Sequence, residues 1–364
     1  MYPSLRRYLF RLDPERAHGL TLWALQMAGS FPPARWILES AFATPPKPVH
    51  AFGLEFPNPV GLAAGYDKDA LAVRGLAALG FGHLEIGTVT PLPQPGNPRP
   101  RMFRLVEDQA IINRLGFPSR GSEYVQMRLH PRLRGDWVQR VFGFSARSKK
   151  WHNQPPPRLS GSAVLGVNIG KNKSTSNEQA VLDYLELVQN FAPYADYLTI
   201  NVSSPNTEGL RDLQAQKALE ALLSQLHAQR LLEQPKLQRR LPLLVKLAPD
   251  LSEAQLAEAV DVIVSTRMDG IIVTNTTVGR EGLRSGYRAE TGGLSGKPLG
   301  PRSEAVLEDV IRRVNGAVPV VSAGGIMSPE DAKRRLAKGA NLVQVYSGLV
   351  YCGPGLVKAI VRVL

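Results

Sequence analysis

The sequence predicts an α/β protein: a (β/α)8 TIM barrel preceded by a short N-terminal helical hairpin. Three observations carry the barrel. Eight short apolar runs recur along the chain, amphipathic stretches separate most of them, and polar or glycine residues gather where the runs end. Runs that are apolar nearly throughout suit strands buried on both faces, hence a parallel sheet with helical crossovers. Eight such units close naturally into a barrel. An open doubly wound sheet is the alternative, but no GxGxxG follows the first run.

Residues 1–43 read as the hairpin. Asp13 can cap a helix with Pro14 at its first position and Glu15 in its first turn. Leu20, Trp23, Ala24 and Met27 then share one face at helical spacing. "GSFPP" breaks that helix and "ARWILESAFA" forms a second. With Arg6, Arg7, Arg11, Arg16 and Arg35 alongside, the pair suits a hairpin lying in a membrane interface; packing on the main domain is the other reading. The charge-free stretch from Ala17 to Ala34 contains Gly29, Pro32 and Pro33. About 15 of its residues can be helical, roughly 23 Å against a ~30 Å hydrocarbon core, so it does not span. Arg6 and Arg7 are followed by "YLFRLDPER" rather than a long apolar region, so no signal peptide is visible.

Residues 44–50, with "TPPKP", form a stiff linker, and the barrel is expected over 51–364. Its runs are "PVGLAAG" (59–65), "HLEIGTVT" (83–90), "AVLGVNIG" (163–170) and "DYLTINVSS" (196–204). They continue with "LPLLVKLAP" (241–249), "GIIVTNTT" (270–277), "VPVVSAGGI" (318–326) and "NLVQVYSG" (341–348). "QKALEALLSQLHAQRLL" and "SEAQLAEAVDVIVST" are typical of the helices between. Residues 91–125 are a long excursion, followed by a basic insertion at about 131–160.

Bulk composition narrows the class. The 364 residues are 43% apolar and 21% charged, as in a soluble globular protein with ample core. The single cysteine, Cys352, excludes a disulfide framework and a thiolate metal cluster, and fits a reducing, cytoplasmic compartment. Six scattered histidines contain no HxxxH or HxH pair, so no metal is expected. Net charge is +13; between Arg128 and Arg158 eight Lys/Arg oppose Asp136 alone, which leaves +7 there. Nucleic acid, an anionic membrane surface and a merely solvated loop are all compatible with that.

A barrel builds its site at the C-terminal ends of its strands. Those ends carry Ala64, Gly65 and Lys68; Thr88; Asn168; Asn201, Ser204 and Asn206; Lys246; Thr274, Asn275 and Thr276; Gly324 and Gly325; Tyr346 and Ser347. A lone Asn at such a position is usually a turn former, but recurrence around the ring points to one shared pocket. Glycine-rich turns after the last two strands present backbone N–H groups for a single phosphate. "TGGLSGKP" (291–298) adds a flexible lip; with Pro298 where a Ser/Thr should stand, it is no P-loop. Asparagine offers a donor pair and an acceptor to the amide edge of a pyrimidine or isoalloxazine ring, and lysine offers charge to an anion.

Together "AAGYDKD", "EIGTVTPLPQPGNPRPRMFRL", "INRLGF", "GVNIGKNK", "NVSSPNT", "VKLAPDLS", "VTNTT", "TGGLSGKPL" and "LVQVYSG" closely resemble the quinone-dependent (class 2) dihydroorotate dehydrogenases. The match runs in order from "LDPERAH" nearly to the end of the chain. The resemblance implies oxidation of dihydroorotate to orotate in pyrimidine synthesis, with FMN as hydride acceptor and a membrane quinone as terminal acceptor. Carried over by position, FMN would contact Ala64, Gly65, Thr88, Asn168, Asn201, Lys246, Thr274, Gly296, Gly325, Tyr346 and Ser347. Substrate would lie against Lys68, the segment Asn113, Arg114, Leu115, Gly116 and Phe117, and Asn201, Asn206, Asn275 and Thr276. Ser204 aligns with the family's catalytic base.

The resemblance also implies that the hairpin lies on a membrane and forms a quinone tunnel whose polar residues are His18, Arg104 and Tyr346. The expected protein is a monomer, peripheral on the cytoplasmic side of the inner membrane, touching anionic lipid and no nucleic acid. Two positions depart from the family: Glu208 stands where proline is usual and Pro118 where asparagine is usual, which bears on lid geometry. The basic insertion has no counterpart in the compact bacterial pattern. Three rival readings are another FMN-dependent dihydropyrimidine or alkene oxidoreductase, a Schiff-base aldolase using Lys246, and a basic nucleic-acid binder. The last lacks a reader motif.

Overall fold

A computed structural model describes residues 2–130 and 163–364. The chain begins with helices α1 (Tyr2–Leu9), α2 (Pro14–Ser30) and α3 (Pro32–Phe42). Asp13 caps α2 as its sequence suggests, its carboxylate accepting from the N–H groups of Glu15 and Arg16 at 3.0 Å. A single residue, Phe31, separates α2 from α3, and Pro32 and Pro33 fall in the first turn of α3, where a missing N–H costs nothing.

A small hairpin follows, β1 (Val49–Ala51) with β2 (Leu54–Phe56). The linker expected at 44–50 thus gives way to a strand at Val49. Phe52, at the tip, packs with Phe56, Tyr197, Leu244 and Ile272 in the layer that closes the N-terminal end of the barrel.

The barrel strands are β3 (Val60–Leu62), β4 (His83–Val89), β7 (Val164–Ile169), β8 (Tyr197–Asn201), β9 (Leu243–Leu247), β10 (Gly270–Val273), β12 (Val320–Ala323) and β13 (Leu342–Val345). They close in that order, every neighbour parallel and β13 returning to β3. Most are buried throughout, in agreement with their near-continuous apolar runs. Each fully buried Val, Leu or Ile contributes about 1.5–3 kcal/mol, so the ring of strands and its crossover helices hold the core. Helix Glu253–Ser265 starts at a capping box, Ser252 accepting from Gln255 N at 3.3 Å and Gln255 Oε1 accepting from Ser252 N at 3.0 Å.

The excursion at 91–125 is not only loop. It forms β5 (Met102–Leu105), β6 (Ala110–Asn113) and helix Ser122–Leu129. The glycine-rich segment expected to be a flexible lip supplies β11 (Gly293–Gly296), which pairs antiparallel with β6. The three strands make a separate sheet in the order β11-β6-β5. Pairing across some 180 residues leaves no local pattern, which is why the sequence concealed it.

Helix α2 both packs and exposes. Gly29 and Gly75 meet so closely that a Cβ on Gly29 would lie 2.4 Å from Gly75 N; Gly75 belongs to α4 (Val73–Ala77). On the other side Leu20, Trp23 and Met27 are exposed. Nine of the nineteen large apolar residues exposed among the described residues fall between Leu5 and Ile37. No helix among the described residues is long and apolar enough to cross a membrane. The basic insertion at 131–160 lies outside the described residues.

Candidate active site

The C-terminal strand ends surround a cavity of about 990 Å³, open mouth included. Its lining includes Ala64, Gly65, Lys68, Thr88, Asn113, Leu115, Gly116, Phe117, Asn201, Ser204, Asn206, Lys246, Thr274, Asn275, Thr276, Gly296, Gly325, Tyr346 and Ser347. All of these were expected at the site. Two others stand back from it. Asn168 is fully buried behind the wall, accepting from Thr88 Oγ1 at 2.6 Å and Asn201 Nδ2 at 3.0 Å. Arg114 turns away to pair with Glu290 at 2.6 Å, its guanidinium over the Phe103 ring.

Each functional side chain is set by local geometry. The turn after β3 is fixed by Asp67, whose carboxylate accepts from the N–H groups of Leu71 and Ala72 at 2.8 Å. That turn presents Lys68, whose ammonium donates to the carbonyl of Gly65 at 2.6 Å. Burial pushes the Lys68 ammonium down to about 8, against the raising effect of Asp69, Glu15 and Asp67.

After β8 the chain makes the "NVSSPN" turn. Ser204 Oγ accepts from Asn206 N at 3.2 Å, and Asn201 Oδ1 accepts from Ser203 N at 3.3 Å. Arg211 braces the turn from behind, donating to the carbonyls of Ser203 and Thr276 while pairing with Asp250 at 2.8 Å. Asn97 Nδ2 holds it from the side through the carbonyl of Asn206 at 3.2 Å. Ser204 is thereby buried yet open to the cavity.

Several lining groups escaped sequence reasoning: Ser295, Met327 and Gln344. Gln344 carried a signal, being a lone polar residue inside the run "LVQV". Glu85, a lone acid inside "HLEIGTV", carried the same signal, and lies buried beside Lys246 Nζ at 3.7 Å. Neither Pro118 nor Glu208 lines the cavity. The departures from the family pattern therefore fall on supporting loops.

The donor set defines what fits. The described lining holds two lysines and no acid, so it favours anions. Gln344 Oε1 and Asn206 Oδ1 are buried without a partner and belong to lining residues, as acceptors for N–H groups of a ligand. At the opposite end Gly324 and Gly325 both take positive φ. A Cβ on Gly325 would lie 2.2 Å from Gly300 Cα, so the backbone there is bare by necessity. A phosphate-bearing, amide-rich ring system such as FMN matches both ends.

His18, Tyr66 and Tyr346 continue from the cavity toward the hairpin. His18 and Tyr66 are edge-on with ring centroids 4.8 Å apart, and Tyr66 and Tyr346 at 5.6 Å. Arg104 donates to the carbonyls of Leu9 and Leu12 at the end of α1, its guanidinium 4.7 Å from the Phe10 ring centre.

Known proteins share the sequence and the fold of this chain. The family model described as dihydroorotate dehydrogenase matches residues 48–364. Curated relatives include a dihydroorotate dehydrogenase (quinone) of Idiomarina loihiensis, 44% identical over 99% of both chains. One from Janthinobacterium sp. is 45% identical over 98% of this chain and 96% of its own. Among solved structures, Eimeria tenella DHODH in complex with ferulenol superposes with a TM-score of 0.79 at 38% identity, covering 98% of this chain and 93% of that one. On this evidence the chain belongs to the dihydroorotate dehydrogenase family.

Proposed function

We propose that this chain oxidises dihydroorotate to orotate in pyrimidine biosynthesis, with FMN as hydride acceptor and a quinone as terminal electron acceptor. The observation that carries the reading is the convergence of Ser204, Asn113, Asn201, Asn206, Asn275 and Lys68 on one cavity that also exposes the bare glycine backbone of Gly324 and Gly325.

Bound FMN would supply the two-electron acceptor. Its phosphate would rest on Gly325 and Ser347, with Ala64, Gly65, Thr88, Asn201, Lys246, Thr274 and Gly296 around the remainder and Asn168 orienting Asn201 from behind. Lys246 brings positive charge to the ring, which favours the reduced, anionic form. Dihydroorotate is an anion with an amide-rich ring. Lys68 would offset its charge, and the paired amides of Asn113 and Asn206, 3.2 Å apart, would read its ring edge.

Ser204 Oγ takes the proton from the substrate carbon next to the carbonyl. Serine is a weak base, so the proton must pass onward to water through the cavity mouth. The segment Asn113–Phe117 covers the substrate and limits that access; Arg114, anchored to Glu290, holds the segment rather than the ligand.

The exposed apolar residues of the hairpin over residues 1–43 support peripheral attachment to the cytoplasmic side of the inner membrane, with arginines near anionic lipid. Quinone would reach the flavin past His18, Tyr66 and Tyr346, with Arg104 securing α1 at the entrance. The monomer suffices, since all of these residues come from one chain. Anaerobic addition of dihydroorotate to the purified protein tests the reaction: bleaching of a flavin band is expected. A colourless protein, or a yellow one bleached only by another dihydropyrimidine, would overturn it. Sedimentation with anionic vesicles, with and without residues 1–43, tests the attachment; equal binding would dismiss it.

A further inference from the structure

Strand β4 carries one acid, Glu85, three residues before Thr88 and wholly buried inside the barrel. A carboxylate persists in such surroundings only when donors saturate it. Asn168 Nδ2 at 2.8 Å and Lys246 Nζ at 3.7 Å approach Oε1. Gln344 Nε2 at 2.9 Å, Thr199 Oγ1 at 3.1 Å and Tyr197 OH at 3.4 Å approach Oε2.

Two of these donors are amides, and an amide whose NH2 faces a carboxylate must turn its oxygen the other way. Asn168 Oδ1 accordingly accepts from Asn201 Nδ2 at 3.0 Å. Asn201 Oδ1 accepts from Asn275 Nδ2 at 3.3 Å, and Asn275 Oδ1 from Thr276 N at 2.8 Å. Each amino group in this series faces back toward Glu85 and each oxygen faces onward. Gln344 forms a second branch: its amino group is taken by Glu85, and its Oε1 is left buried and unpaired in a residue of the cavity wall.

We propose that Glu85 is a positioning residue: it fixes the donor–acceptor sense of Asn168 and Gln344, and it counterbalances the charge of Lys246. Gln344 Oε1 is thereby kept as an acceptor in a residue of the cavity wall, and Asn168 Oδ1 as the acceptor behind Asn201. A group able to donate at position 85 would let Asn168 and Gln344 invert; Asn201 and Asn275 stay, because the N–H groups of Ser203 and Thr276 hold their oxygens, so an inverted Asn168 would set its amino group against that of Asn201. The proposal rests on the functional reading above for the identity of the ring, but the sense of the amides does not depend on it.

The test uses the full-length, FMN-loaded protein and two variants. Glu85→Gln keeps the shape of the side chain and removes its charge. Thr199→Val deletes a bond to the same carboxylate that leads neither to the amide series nor to Lys246. Glu85→Gln is expected to weaken FMN binding about tenfold, the scale of one charge-assisted hydrogen bond. It should also raise the flavin midpoint potential, because Lys246 loses its counter-charge. Thr199→Val, which leaves the carboxylate and both amide donors in place, should change both quantities much less. Unaltered FMN affinity and potential in Glu85→Gln, or equal changes in both variants, would overturn the proposal.

Should Glu85→Gln fail to fold, neutron diffraction from deuterium-exchanged crystals of the unmodified protein decides. Deuterons on Asn168 Nδ2 and Gln344 Nε2 facing a bare Glu85 carboxylate support the assignment. A deuteron on Glu85, or inverted amides, rejects it. A protein that takes up no FMN would defeat the functional reading, while the neutron map would still report the amide sense.

Discussion

His18 stands edge-on to Tyr66, their ring centroids 4.8 Å apart, and joins helix α2 to the turn that carries Lys68. Since Tyr66 continues edge-on to Tyr346 in the cavity wall, this contact is the aromatic path between hairpin and site. His18→Ala is expected to slow reoxidation of the reduced protein by quinone about tenfold, while reduction by dihydroorotate changes little. Stopped-flow measurement of the two half-reactions separates these effects; a parallel loss in both would remove the path.

Ser204→Ala should retain FMN and lose flavin reduction by about 100-fold or more, the usual contribution of a positioned base. The turn itself survives because the bond between Asn206 N and Ser204 Oγ is one of several that hold it. An unchanged single-turnover rate with dihydroorotate would take Ser204 out of this role.

Burial disfavours the charge of Lys68 and pushes its ammonium down to about 8. Below that pH it is an ammonium and attracts an anionic substrate; above it the charge is lost. The kcat/KM for dihydroorotate should therefore fall as pH rises through about 8, since this ratio reports the free enzyme. Lys68→Arg should abolish that alkaline limb whatever its effect on the plateau.

Gly325 has a φ of 75°, and a Cβ there would overlap Gly300. Gly325→Ala should cost about 1–3 kcal/mol of local strain and release most of the FMN. Gly286→Ala, where a Cβ meets nothing within 4 Å, serves as the control. FMN content by absorbance ratio reads the outcome; full flavin in Gly325→Ala would mean the phosphate lies elsewhere.

His83 is buried with both ring nitrogens unpaired, and burial pushes its imidazole down to about 3. The unfolded ring binds a proton below its ordinary value of 6.5, while the folded ring does not until about 3. Stability from this group is thus intact above 6.5 and declines as pH falls toward 3, by about 1.4 kcal/mol per pH unit. His83→Phe should flatten that acid slope by the same amount in denaturant titrations; an identical slope would assign it to other groups.

The parts legible in the sequence are those whose cause is local. Eight apolar runs announced eight strands, Asp13 and Pro14 announced the start of α2, and the strand-end amides announced the cavity. The runs overstated strand length: "GIIVTNTT" ends as a strand at Val273, and Thr274, Asn275 and Thr276 after it line the cavity. Helix α1 and strand β11 were not legible. The first depends on anchors from Arg104 and Tyr351, the second on a partner strand far away in sequence. Arg114 looked like a ligand from its motif, yet only the folded chain reveals Glu290 waiting for it.

The small sheet of β5, β6 and β11 has a mechanical consequence. Arg104 on its first strand grips the end of α1, Asn113 closes its middle strand at the substrate wall, and Gly296 ends its last strand against the cofactor side. One small sheet thus ties the first helix to two stretches of the cavity wall, so a displacement at one end of the sheet is felt through its ladder at the other.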